Sequence, residues 1–110
     1  MSGTFTSKTL AGGYLSNTQT VLYQTPSANV AYIKTFSITS NSANTQSINL
    51  YRRINGNVLP WYTFQLSLGD TADILDIGAL VLSANDGILA QTNVSTANAA
   101  AYSMHGVEEK

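Results

Sequence analysis

The feature that most constrains this chain is an Asn-Gly pair set between two strand-like runs. Asn55-Gly56 interrupts "QSINLYRRI" on one side and "VLPWYTFQLSL" on the other. A two-residue turn of this type needs positive φ at both positions, which Asn and Gly tolerate best, and its twist matches a β-hairpin. The hairpin has a definite sidedness. Ile48 and Leu50 fall on one face, with Asn49, Tyr51 and Arg53 on the other. On the return run Tyr62, Phe64, Leu66 and Leu68 share a face, leaving Trp61, Thr63 and Gln65 opposite. Pro60 lacks an amide donor, so this strand begins at an edge or a bulge.

Short β-like runs follow one another from Thr20 onward. "QTVLYQT" closes at Pro26, and "VAYIKTFSITS" follows. In the second run Ala31 and Ile33 are in one phase and Phe36 and Ile38 in the other. One extra residue near Lys34-Thr35, a β-bulge, puts all four on the core face. "GDTADILDIGALVLSAND" divides at Gly78 into two short runs, with Leu80 and Leu82 on the core side. "GILAQTNV" and "ANAAAYSMHGV" complete the set, with Ile88, Ala90, Ala100, Tyr102 and Met104 inward. No window carries a 3.6-residue apolar period. In "TANAAAYSM" helix propensity competes, but strand is favoured because the neighbouring runs need a partner.

Composition agrees with an all-β domain. Charged residues are only 10% of the 110-residue chain, and Ser, Thr and Asn replace them at about a third of the total. Small core residues such as Ala31, Ala90 and Ala100 imply two closely packed sheets. The expected fold is an antiparallel β-sandwich of about eight strands, either jelly-roll or Ig-like. Residues 1–17, with Gly12-Gly13 and little alternation, are expected as an extended N-terminal arm and 18–110 as the sandwich domain.

A net charge of −1 argues against an electrostatic grip on nucleic acid or an anionic membrane. The absence of cysteine excludes disulfides, thiolate catalysis and thiolate metal sites. "MSGTFTSKTLAGGY" has neither a basic n-region nor an apolar h-region, so a protein made in the cytoplasm is expected. No apolar run is long enough to span a bilayer.

Candidate chemistry is sparse. His105 is the single histidine, and no motif supplies it with a nucleophile and an orienting acid. Asp70, Asp73 and Asp76 form the single acidic cluster. Their spacing of three sends consecutive members to opposite faces of a strand, and no D-x-D-x-D-G pattern is present. Neither metal nor cofactor is expected, and no catalytic residues are assigned. Asn93-Val94-Ser95 matches a glycosylation sequon, read as a chance match without a secretory signal. Arg52 is placed at the core rim and Arg53 outward with Tyr51. A solvated edge that discourages stray pairing explains the arginines adequately. The sharper reading joins Tyr51, Arg53 and Trp61 on one outward face as a protein-interaction surface, because Tyr, Trp and Arg are enriched at hot spots.

"TVLYQTPSANVAYIKTFSITSNSANTQSINLY" resembles the first half of small β-sandwich virion proteins of tailed bacteriophages. Those carry a Y-T-x-P turn, an A-x-x-K-x-x-x-I strand, an Asn-containing turn and a strand ending in L-Y. "ILDIGALVLSANDGILAQTN" and "AYSMHGVEE" are similar to their close. The resemblance covers about residues 20 to 109, with Pro26-Ser27-Ala28-Asn29 where P-A-G-K is commoner and Asn85-Asp86-Gly87 where a G-D pair is usual. It implies a non-enzymatic virion component, foremost a capsid decoration (cement) protein. Such a protein is expected as a homotrimer that binds the major capsid protein and bridges capsomers, with the segment before Thr18 as candidate anchor. A small tail, baseplate or fibre-associated component is the second expectation. A carbohydrate-binding adhesion module, with Trp61 and Tyr51 stacking on sugar rings, is the third.

Overall fold

In the computed structural model, residues 5–75, 80–95 and 98–109 are described. Nine strands follow in order: β1 Phe5–Tyr14, β2 Thr20–Gln24, β3 Val30–Ser40, β4 Gln46–Ile54, β5 Asn57–Leu66, β6 Thr71–Asp73, β7 Leu80–Leu82, β8 Gly87–Thr92 and β9 Ala100–Glu109. They form two antiparallel sheets packed face to face. One has the order β1-β9-β3-β6, with β7 also pairing β3, and the other β2-β8-β4-β5.

The β4–β5 hairpin forms as the Asn-Gly pair requires. Ile54 lies opposite Asn57, and Asn55 and Gly56 have φ of 51° and 81°. The other connections from β1 to β6, and those from β7 to β9, cross between sheets. If β6 and β7 are counted as one interrupted strand, this alternation gives the order of a jelly roll. An Ig-like arrangement, left open by the sequence, does not fit.

The bulge expected in β3 is present, between Ile33 and Thr35 where β3 meets β9. Ala31, Ile33, Phe36 and Ile38 are all buried as a result. Ile48, Leu50, Leu82, Ile88, Ala90, Ala100 and Met104 complete the middle of the core. Gly106 occupies the crossing point of this bulge, and a Cβ there would stand 2.0 Å from the Tyr32 carbonyl oxygen. Only glycine lets β9 lie this close to β3.

One buried polar side chain ties the sheets together. Gln46 of β4 donates through Nε2 to Ser40 Oγ at 2.9 Å and to the Ala99 carbonyl at 2.8 Å, and its Oε1 accepts from Thr92 Oγ1 at 2.6 Å. The side chain is fully buried, and satisfying a buried amide this completely removes most of its desolvation cost.

The segment expected as an arm is extended, and most of it is strand. Phe5–Tyr14 pairs with β9 along its length, with one register shift between Thr9 and Ala11. Ladder pairing depends on backbone groups and tolerates weak side-chain alternation, which is why the pattern gave little notice of it. Leu15 then enters the core, and Ser16 accepts a backbone bond from Thr92, joining the two sheets at this corner. Asp76 and the division at Gly78 lie outside the described residues.

Candidate interaction surface

The outer faces of the two sheets differ in chemistry. On the β1-β9-β3-β6 sheet, Thr35, Ser37 and Thr39 alternate with the core residues Phe36 and Ile38. Cross-strand neighbours bring Ser37 to Ser103 at 3.3 Å and Thr39 to Thr71 at 2.8 Å through their hydroxyls. His105 is exposed here, its Nδ1 3.3 Å from Thr35 Oγ1. Hydroxyls fill this half of the face, and beyond the β3 bulge exposed Val81 lies opposite Tyr32, which lies opposite Val107.

On the other sheet, register aligns a transverse row. Val21 pairs with Leu89, Leu89 with Tyr51 and Tyr51 with Pro60. Residues directly opposite across antiparallel strands share a face, so the four side chains form one row over all four strands. Leu89 is buried yet stands apart from the core cluster that takes Ile88 and Ala90 on either side. It is covered from outside, by its own row. A polar row runs beside this one, with Thr63 donating to Asn49 at 2.9 Å and Tyr51 reaching Gln91 at 3.4 Å. Arg53 lies on the same face, 3.4 Å from Gln24 Oε1.

Of the three residues expected together, the structure joins Tyr51 and Arg53 on this face but not Trp61. The register of β4 and β5 shifts where Leu50 pairs with Tyr62 and Tyr51 with Pro60. Trp61 is therefore the extra residue of a bulge, and it packs against the edge of the core. Its companions are Arg52, whose guanidinium carbon lies 5.7 Å from the indole centroid, and Tyr62, whose ring centroid is 5.0 Å away. Arg52 sits at the core rim as expected, opposite Leu59 and Ile88. Its Nε is buried with no hydrogen-bond partner among the described residues. Pro60 announced a bulge or an edge, but only the register shows that the bulge turns Trp61 inward. The rim of Arg52, Leu59, Trp61 and Tyr62 was thus missed.

Of the acidic cluster, Asp70 and Asp73 are described, and each has its own surroundings. Asp70 is exposed and accepts from the Ser67 amide at 2.9 Å, which fixes the turn after β5, whereas Asp73 lies on β6 opposite Ser37. No group of three potential metal ligands occurs among the described residues. A shallow depression is lined by Thr35, Phe36, Asp73 and Leu75. Asn93 of the sequon is exposed, with its side-chain oxygen accepting from the Ser47 amide at 2.8 Å.

Two tyrosine–carboxylate pairs hold the far end of β9. Tyr23 donates to Glu108 and Tyr32 to Glu109 at 3.1 Å. The Tyr23 hydroxyl is pushed well above the usual phenol range, first by burial and then by the Glu108 carboxylate beside it. Such a group stays protonated and serves as a clasp between the sheets.

No family model and no curated protein matches this chain. Its surface has to be interpreted from its own chemistry.

Proposed function

We propose that this protein is a structural, non-enzymatic component of a tailed-bacteriophage virion, and that it decorates the mature head. The observation that carries the proposal is the row Val21–Leu89–Tyr51–Pro60 across the whole outer face of one sheet. An outward row of apolar side chains flanked by amides and a hydroxyl is suited to lie against another protein. With few charges nearby, such a contact should persist in salt. The jelly-roll order adds a fold-level analogy, because capsid proteins use it, although lectins do too and fold alone does not give function. The resemblance of residues 20 to 109 to small phage virion proteins points the same way. The mechanism would be linkage: a protein that binds only the assembled, expanded shell stabilises that shell in proportion to its occupancy. Copies that bridge neighbouring capsomers gain further by multivalency.

The test is binding to purified mature heads stripped of the protein, followed by cryo-electron microscopy of the reconstituted particle. Density at symmetric positions on the outer shell, lost for Tyr51→Asp, is the expected result. Density on the tail alone would transfer the role to a tail or baseplate component. The sugar-binding reading has less support, because Tyr51 and Trp61 lie on opposite faces of the β4–β5 pair and form no common stacking platform.

A further inference from the structure

The edge strand β5 has the properties of a self-association surface. Four of the large apolar side chains most exposed on the protein lie on it or just after it: Val58 at 38%, Leu59 at 46%, Tyr62 at 49% and Leu68 at 62%. Leu59 and Tyr62 lie on the core-facing side, opposite Arg52 and Leu50. They remain half exposed although Phe64 and Leu66 further along the same strand are drawn into the core. Val58 lies opposite Arg53 on the outer face, so the rim itself consists of Leu59, Tyr62 and Leu68. Together these three expose roughly 250 Å², about half of the roughly 450 Å² of apolar area in a standard interface per partner.

The rim also lacks the usual protection of an edge. Natural edge strands are commonly guarded by charge, above all lysine, yet residues 54–69 contain no Lys, Arg, Asp or Glu. The charges stand at the two ends. Arg52 and Arg53 are at the hairpin end, and the exposed Asp70 closes the turn at the other. A second copy placed antiparallel brings each arginine end beside the Asp70 end of its partner, whereas a parallel copy sets like charges together.

We propose that β5 is the contact between two copies of this chain, antiparallel about a two-fold axis near Thr63. Leu59 and Tyr62 of each copy pack against the rim of the other, beside Trp61 and Leu68. Pro60 has no amide to donate, so the two strands pair directly only near the axis and side chains make the rest of the contact. The two-fold is isologous and closes at a dimer. This inference departs from the homotrimer that the resemblance implies, and its test uses the isolated chain.

The test combines sedimentation velocity with single cysteines, which this cysteine-free chain accepts without background. The unmodified protein should show a concentration-dependent dimer, and Leu59→Lys with Tyr62→Lys should remain monomeric, with a urea midpoint close to that of the unmodified protein at concentrations where the latter is also monomeric. Under mild oxidation Thr63→Cys should crosslink to its copy. Val58→Cys should not, because five residues from the axis places the two copies of that position roughly 33 Å apart, against about 7 Å for a disulfide. A monomer at millimolar concentration, a trimer, or equal crosslinking from both cysteines would overturn the proposal. So would a rim that proves essential for head binding in a protein that never dimerises, since the capsid protein would then be its occupant.

Discussion

Replacing Gln46 by leucine should be among the most damaging near-isosteric changes available in this protein. Gln46 makes three side-chain hydrogen bonds, at 2.6, 2.8 and 2.9 Å, each worth about 1 kcal/mol net. The loss does not fall evenly. The Ala99 carbonyl still accepts from the Asn41 amide at 2.7 Å, and Ser40 Oγ still accepts from the Ser42 amide at 3.4 Å. Thr92 Oγ1 still accepts from the Val94 amide at 3.3 Å, but its buried proton loses its acceptor. A stranded buried donor costs a further 1–3 kcal/mol or so, against which leucine gains some apolar burial. The sum is a loss of about 2–4 kcal/mol, out of a total of roughly 5–15 for a domain of this size. Urea titration followed by tryptophan fluorescence should place the midpoint lower by roughly 2 M. Adding Thr92→Val removes the stranded hydroxyl, so the double variant should be less damaged than the two single losses predict, by about 1 kcal/mol or more. A midpoint shift below about 0.5 M, or strict additivity, would refute the reasoning.

Other outcomes follow from the same structure. Gly106→Ala forces a methyl onto the Tyr32 carbonyl at 2.0 Å, and unfolding should show a loss of about 3 kcal/mol or more. At Gly56 nothing lies within 4 Å of an added Cβ, but φ is 81°. Gly56→Ala should therefore cost only about 1 kcal/mol through backbone strain, with the same assay separating clash from conformation. The raised Tyr23 pKa contributes stability that is complete below the unfolded phenol value of about 10 and declines as pH rises above it. Chemical denaturation at pH 9 and pH 11 should show that decline, and Tyr23→Phe should reduce it.

The fold was legible where side-chain pattern and turn chemistry agreed. The Asn55-Gly56 hairpin and the bulge beside Lys34-Thr35 could both be read, the second because only an extra residue reconciles Ala31 and Ile33 with Phe36 and Ile38. The strand order could not, since it depends on which backbones meet across long separations. β1 escaped notice because pairing with β9 asks little of its side chains. The site suffered from a single register shift. A bulge reverses the facing of one residue, and here that residue was Trp61, so the expected trio separated into Tyr51 and Arg53 outside and Trp61 with Arg52 at the rim. Pro60 gave the warning but not the direction.

The position of β9 also bears on how the protein is made. This strand lies between β1 and β3, so the sheet gains this inner member only after all its other strands have been synthesised. Until synthesis has passed Glu109, β1 lacks the strand it pairs with among the described residues, and β3 exposes a long edge. Closing the span between Phe5 and Glu109 also carries the entropy of a loop of about a hundred residues, which slows folding more than it weakens the product. Ribosome-bound chains that stall before Met104 should therefore be protease-sensitive and prone to edge-to-edge aggregation. Longer chains in which β9 has cleared the ribosome should become resistant in a single step.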